Sequence, residues 1–356
     1  MLSTPLLRAG VAATALLTAA LGPPAGAQSS STELILENGS VIAGPLNRFA
    51  KQGFRVDAVA IPEGLLVPRN VVVVLTKPAG AASVPEYRVV GDSRPWRVTE
   101  DINKLAAEGF VLKGLTIASG RSLGTGPSFE AVLERLPGET QQAREYRLVH
   151  TRGTSADWKL LEDAGRQGFD IEDVIARPDP KQTAAGDVTF VCVKRAGSAP
   201  VTFELKWAGD AMRIERDVND LAAKGHSLRA MWTGTTQLSA LLSRPVAGAP
   251  AASSRYEIDA DPITVPSVSS MSGRLVAWLR FKGEQVAAFD RSGKGSYEMV
   301  TDPLPDENRR TASLLDVARD RIDRQVRKGY RPIWARYFRD EKGVLTLSVI
   351  LAQPSK

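Results

Sequence analysis

A chain of 356 residues carries one cysteine and two histidines. Cys192 has no partner for an internal disulfide, so stability must come from packing even in an oxidising compartment. In the predicted third-strand column it stands with Val74, Leu133, Leu241 and Ile350, which reads as a small buried apolar position. His150 and His226 are not spaced as a metal pair and no cysteine cluster could join them, so no metal or other cofactor is expected. A Ser-His-Asp site would have to recruit one of these histidines, and no nucleophile-elbow pattern precedes any serine. The run from Arg291 to Ser296 lacks the first glycine of a phosphate loop and has glycine directly after Lys294, so it reads as a flexible loop. Carboxylates are plentiful, but no spacing separates a catalytic pair from solvated helix faces.

Long apolar runs are missing too. The one candidate, residues 9–21, has 13 residues, short of the roughly 20 that span a bilayer. Arg8 precedes it, and Ala25, Gly26 and Ala27 follow as a small-x-small cleavage site. Residues 1–27 therefore read as a secretory signal peptide, with Gln28 opening the mature chain and a periplasmic or secreted destination. With no cysteine at the cleavage site, no lipoprotein anchor is expected. The rest, with 43% hydrophobic and 24% charged residues overall, has the composition of a globular protein with more than one core.

What is present is a repeat. Five stretches align on Gly53, Gly109, Gly168, Gly225 and Gly329. Seven residues earlier stand Leu46, Ile102, Leu161, Val218 and Ile322; four earlier stand Phe49, Leu105, Ala164, Leu221 and the exception Gln325. That spacing puts both columns on one helical face. The glycine reads as the left-handed residue after a helix end, and Phe54, Phe110, Phe169, His226 or Tyr330 after it packs back on the last turn. His226 is thus a packing residue. Tyr87, Tyr146 and Phe203 each lie 22 residues before their glycine and open a strand; two more strands follow each glycine. The unit is β-α-β-β over roughly 50 residues.

The fold class expected is α+β: tandem β-α-β-β repeats, each a three-stranded sheet with one helix on one face. Repeats are placed at 33–78, 86–137, 145–195, 201–245 and 297–353, the last with a long helix over about 311–328 whose buried stripe is Leu315, Ala318, Ile322 and Val326. A degenerate unit at 255–290 is expected to have lost or shortened its helix, because residues 262–272 hold two prolines and several serines and β-branched residues. The first strand, around Leu34 to Leu36, is atypical, as a terminal unit lacking one neighbour would be. In 128–136, Phe129, Ala131 and Leu133 alternate with Glu130, Val132 and Glu134, which predicts one wet face; Val71 to Leu75 has no polar position and predicts cover on both faces.

The pattern resembles a family of small bacterial domains of unknown function with a Leu-Asn-x-x-Ala/Gly-x-x-Gly-Trp/Phe signature inside a β-α-β-β unit. Leu46-Asn47 with Gly53-Phe54, and Ile102-Asn103 with Gly109-Phe110, carry it best; phenylalanine replaces the usual tryptophan, and Leu161-Glu162 and Ile322-Asp323 lack the asparagine. The resemblance implies a fold and no reaction.

The polar column six before the glycine is Asn47, Asn103, Glu162, Asn219 and Asp323. It reads either as boundary hydrogen bonds to backbone or as equivalent ligand contacts. Charge is uneven. Residues 319–339 hold eight basic and two acidic side chains, net +6, whereas the whole chain is +6 and the mature chain, without Arg8, is +5. Arg324, Lys328, Arg331, Arg336 and Arg339 are the anion-contact candidates, interleaved with Tyr330, Trp334, Tyr337 and Phe338. The function expected is an exported, non-catalytic binding or scaffolding protein of the bacterial envelope, contacting an envelope protein or anionic polymer; export argues against nucleic acid. The alternative is an envelope hydrolase or enzyme inhibitor with a carboxylate-based site between repeats.

Overall fold

The computed structural model describes residues 31–39, 41–63, 70–78, 83–118, 128–138, 143–151, 155–177, 187–234, 236–247, 254–259, 273–281, 284–293, 295–304, 312–339 and 344–353. Residues 1–27, the loop 119–127 and the segment 262–272 with its expected helix loss lie outside them. The chain is mixed α+β, with five helices and six small sheets among the described residues. None of these helices is long and apolar enough to cross a membrane.

In chain order the elements are β1 (Ser31–Asn38), α1 (Ala43–Lys51), β2 (Arg55–Val59), β3 (Ile61–Pro62) and β4 (Asn70–Lys77); β5 (Glu86–Asp92), α2 (Pro95–Ala107), β6 (Val111–Ala118) and β7 (Ser128–Arg135); β8 (Arg144–Thr151), α3 (Ser155–Arg166), β9 (Asp170–Arg177) and β10 (Asp187–Arg195); β11 (Val201–Ala208), α4 (Ala211–Ala222), β12 (Ser227–Thr233) and β13 (Leu238–Pro245); β14 (Tyr256–Asp259), β15 (Arg274–Phe281) and β16 (Glu284–Asp290); β17 (Ser296–Pro303), α5 (Ala312–Arg327), β18 (Arg331–Arg339) and β19 (Leu345–Gln353). The sheet orders are β1-β4-β2, β5-β7-β6, β8-β10-β9, β11-β13-β12, β14-β16-β15 and β17-β19-β18-β3. Every sheet thus has its last long strand in the middle and its first strand on an edge. Among the described residues only β3, which joins β18 in parallel, departs from the antiparallel pattern.

The five aligned glycines all have φ between 82 and 93°. After each, the next residue donates its N–H five residues back: Phe54 to Phe49, Phe110 to Leu105, Phe169 to Ala164, His226 to Leu221 and Tyr330 to Gln325. These are Schellman endings, and they satisfy carbonyls the helix leaves open. An alanine there meets the left-handed penalty of roughly 1–2 kcal/mol. Gly109 has only the Arg135 side chain near a new β-carbon, at 3.8 Å, whereas at Gly168 the Ser198 carbonyl oxygen would lie 2.9 Å away. Gly109→Ala should therefore cost about 1–2 kcal/mol and Gly168→Ala more, as read from urea midpoints; equal and negligible losses would contradict these helix ends.

The cores lie between sheets. Leu46, Val56 and Val73 of the first sheet's region share one core with Tyr87 and Val132 of the second. Second and third sheets share another, then third and fourth, fourth and fifth, and fifth and sixth. The sixth core joins α5 and β17 to β19 with Leu34, Ala58, Val72 and Val74 from the start of the chain. Helix α5 packs on β1, Thr32 N donates to the Asp323 carboxylate at 2.9 Å, and β18 pairs with β3. The sheets close into a ring. The expected cause of the irregular first strand is thereby corrected: neither end of the array lacks a neighbour.

Closure also corrects the wet face expected on β7. Glu130 and Glu134 are 1% and 4% exposed. Glu134 receives the Tyr87 hydroxyl at 2.6 Å and Arg55 at 2.7 Å, the latter from the preceding sheet's β2. Glu130 sits where Gly39 and Gly91 leave no β-carbon in the way and takes the Ser128 hydroxyl at 3.0 Å. The alternation marked two faces, but both are covered. The continuous run Val71 to Leu75 is fully buried, as its composition predicts.

Candidate functional site

Each first strand is an edge, and an edge leaves backbone groups unpaired. Three of these edges are closed by an asparagine of the preceding helix. Asn47 donates its amide to the Tyr87 carbonyl and accepts the Tyr87 N–H, both at 2.9 Å. Asn103 does the same to Tyr146 and Asn219 to Tyr256, every bond at 2.8 Å. Farther along the same edge, Leu148 N–H reaches the Thr99 hydroxyl at 3.1 Å and Ile258 N–H reaches Glu215 at 2.8 Å. At Asn47, Asn103, Asn219 and Asp323 the polar column forms joints to backbone, whereas Glu162 is exposed and makes none; at those four places the choice left by the spacing falls to backbone bonds.

The tyrosine side chains supply the other half. Each inner strand carries a β-bulge, marked by register shifts at Val56/Ala58, Leu112/Gly114, Leu228/Ala230, Leu275/Ala277 and Pro332/Trp334, and on β9 around Glu172. A bulge leaves a residue out of the ladder. The N–H just before it donates to the incoming tyrosine hydroxyl: Val56 to Tyr87 at 2.8 Å, Leu112 to Tyr146 at 3.2 Å, Leu228 to Tyr256 at 2.9 Å and Leu275 to Tyr297 at 2.7 Å. Two joints differ, and each is compensated. Phe203 has no hydroxyl, and Ile171 N–H turns to the Asp170 carboxylate at 2.9 Å. At the closure Thr32 stands opposite Thr76 and Arg55 where the tyrosines stand elsewhere, and the matching bulge position is Pro332, which has no N–H to satisfy.

The extra residues of the bulges are Asp57, Lys113, Glu172, Arg229, Val276 and Ile333. Strands β2, β6, β9, β12, β15 and β18 carry them around the inner side of the ring, where β18 meets β2, β2 meets β6, and β12 meets both β9 and β15. A cavity of ≈ 180 Å³ opens there between β2, β6, β9 and β18. Its apolar wall includes Leu112, Leu115, Ile333 and Trp334; its charged wall is Asp57, Lys113, Glu172, Asp173 and Arg336. Gly114 allows this approach, because a β-carbon on it would stand 2.7 Å from Val59 Cβ.

Most of that charge is matched from behind. Asp57 accepts from Arg331 at 2.9 Å and from the Thr76 hydroxyl. Glu172 pairs with Arg195 at 3.1 Å, Arg336 with Glu63 at 3.2 Å and Lys113 more loosely with Glu134 at 3.9 Å. Burial raises the Glu63 carboxyl, opposed by Arg336 and Arg280. Asp173 accepts the Val174 N–H at 2.7 Å and has no ion pair among the described residues. Burial pushes its carboxyl up to about 6, with neighbouring Glu172 adding to the rise and Arg336 opposing it. Since the folded-state value is raised, the native protein keeps a proton that the unfolded chain loses near pH 4. Stability from this group is lost as pH rises from about 4 to about 6. Asp173→Asn should match the wild type in urea midpoint at pH 4 and exceed it at pH 7; a constant difference across that range would contradict the assignment.

The five anion-contact candidates do not form one patch. Arg324 is exposed on α5, Lys328 is exposed in the turn just after it, and Arg339 is exposed at the end of β18. Arg331 and Arg336 instead face Asp57 and Glu63 across the closure. Cys192 is buried, its thiol pushed up to about 12 by burial. His226 is buried with Nδ1 3.2 Å from the Leu221 carbonyl, and burial lowers its pKa; His150 lies 3.0 Å from the Thr189 hydroxyl. Asp57, Glu63, Lys113, Glu172 and Asp173 were missed from sequence. For Asp57, Lys113, Glu172 and Asp173 the signal is a charged residue four or five places after the aligned glycine, within the strand that follows it; Glu63, ten places after Gly53, has no such signal. No family model matches this chain, and no curated protein is similar to it.

Proposed function

We propose that the chain is one β-α-β-β unit copied head to tail, exported by its leader, and that it acts as a non-catalytic binding or scaffolding protein of the bacterial envelope. The observation that carries this reading is a division between constant and variable positions. The residues that recur are engaged in joints: asparagine on the strand edge, tyrosine on the bulge, glycine at the helix end. The inner column varies from carboxylate to ammonium to guanidinium to aliphatic. A constant frame carrying varied inner side chains suits recognition on a repeat scaffold. The resemblance to small bacterial β-α-β-β domains agrees with the frame and names no reaction.

Residues 1–27 would be removed on export, leaving 28–356 in the periplasm or medium. The partner would be an envelope protein or an anionic polymer, met by the basic side chains that Arg324 of α5 and Lys328 just after it keep exposed. Capture from envelope extract by immobilised 28–356, with mass spectrometry, tests this. Salt-sensitive retention that falls in Arg324→Glu/Lys328→Glu supports it. Equal retention by both proteins removes the anionic contact, and no retention removes the binding role. Arg331 and Arg336 are unsuitable for reversal, because each answers a carboxylate of the first sheet's region.

One observation favours the hydrolase reading: adjacent Glu172 and Asp173 on the cavity wall, with Asp173 shifted to about 6, in the range of a general acid. Hydrolysis of envelope polymers that Asp173→Asn abolishes would replace the binding role with that one.

A further inference from the structure

We infer that the central cavity binds a small organic cation, an ammonium head on a short apolar body, with Asp173 receiving the head and Trp334, Leu112 and Leu115 covering the body. The inference rests on the binding role proposed above and adds the class of ligand. Four wall charges already have ion pairs: Asp57 with Arg331, Glu172 with Arg195, Arg336 with Glu63, and Lys113 with Glu134. Asp173 has one backbone N–H on one oxygen and, among the described residues, no cation within ion-pairing distance. An ionised carboxylate offers about four acceptor sites, so one N–H leaves most of the capacity of this cavity-lining group for a ligand.

The rest of the wall suits an apolar body. Leu112, Leu115, Val59, Ile333 and Trp334 surround the space, and the indole offers a face to which a cation is drawn. The volume of ≈ 180 Å³ is somewhat above the roughly 150 Å³ of an engineered cavity that holds benzene. A ligand of about seven to ten heavy atoms fits that scale. An anion would have to draw Arg336 or Lys113 from Glu63 or Glu134 and then lie beside the Asp173 carboxylate. Desolvating that like-charge pair is unfavourable.

The test is calorimetric titration of the mature chain 28–356 at pH 7.5 with benzylammonium, benzyl alcohol and benzoate, three probes of one shape and different charge. Benzylammonium should bind most tightly, and benzoate should not bind detectably. Asp173→Asn should weaken benzylammonium at least tenfold and leave benzyl alcohol unchanged, with unaltered circular dichroism showing an intact fold. Tighter binding of benzoate than of benzylammonium overturns the cation assignment, as does equal benzylammonium affinity in Asp173→Asn. Absence of all three probes from a protein that still retains a partner from envelope extract overturns the cavity ligand alone. Loss of that retention as well overturns the binding role itself.

Discussion

Asn103→Ala is expected to destabilise the protein by about 2–4 kcal/mol, while Glu162→Ala at the same place in the next helix should change stability by less than about 0.5 kcal/mol. Asn103 makes two bonds of 2.8 Å to the backbone of Tyr146, one as donor and one as acceptor. Each is worth roughly 1 kcal/mol net, and leaving a half-buried strand N–H and C=O without partners adds a desolvation cost of about 1–3 kcal/mol. Glu162 is exposed and makes no such bond. There Gly165 lets α3 approach β11 so closely that a β-carbon would meet the Val201 carbonyl oxygen at 2.6 Å, and backbone approach replaces the clasp. Urea unfolding of both variants checks the pair. Similar losses for both, or none for Asn103→Ala, would show that the column is not a set of joints.

Ile322→Ala should cost about 2–5 kcal/mol, the range for truncating a buried aliphatic side chain in a core that cannot collapse. Ile322 is fully buried in α5, and its core holds Leu34, Ala58, Val72 and Val74 from the opposite end of the chain. The ring limits relaxation, because α5 is held by β17 to β19 on one side and by β1 on the other. Val72→Ala, also fully buried in that core, should lower the same unfolding transition by about 1–3 kcal/mol. Two separate transitions, each touched by only one of the variants, would mean that the two ends fold apart.

Much of the local structure was legible because its causes are local. A glycine forced to positive φ, an aliphatic residue seven before it and an aromatic after it define a helix end wherever they occur. The 22-residue spacing from tyrosine to glycine points to a strand at each of Tyr87, Tyr146 and Phe203, and β5, β8 and β11 lie there. The fifth sheet, without an aligned glycine, lies within residues 255–290. What spacing could not show is which unit a side chain serves. Asn103 was visible as a polar residue at the border of a helix face, but its partner is 43 residues on, in another sheet.

The same limit hid closure and the cavity. Thr32 and Asp323 are 291 residues apart and follow no period. Glu130 and Glu134 looked wet because alternation reports two faces and not what covers them; Arg55 comes from a different sheet. The basic segment at 319–339 read as one patch because charge was counted along the chain. In space Arg331 and Arg336 turn to Asp57 and Glu63, while Arg324 and Lys328 near the end of α5 and Arg339 at the end of β18 are exposed apart from them.

The central claim is that the first and last sheets touch. Pulsed dipolar spectroscopy between spin labels on Glu37→Cys of β1 and Asp320→Cys of α5 measures it, both positions being exposed on elements that pack together. Cys192 is buried and stays unlabelled in the folded protein. Closure predicts one narrow distance distribution below about 30 Å, since packed layers lie about 10 Å apart and each label arm adds a few ångströms. An open stack of six sheets would separate the labels by at least about 50 Å, five layer spacings, and a distribution centred there would contradict the ring.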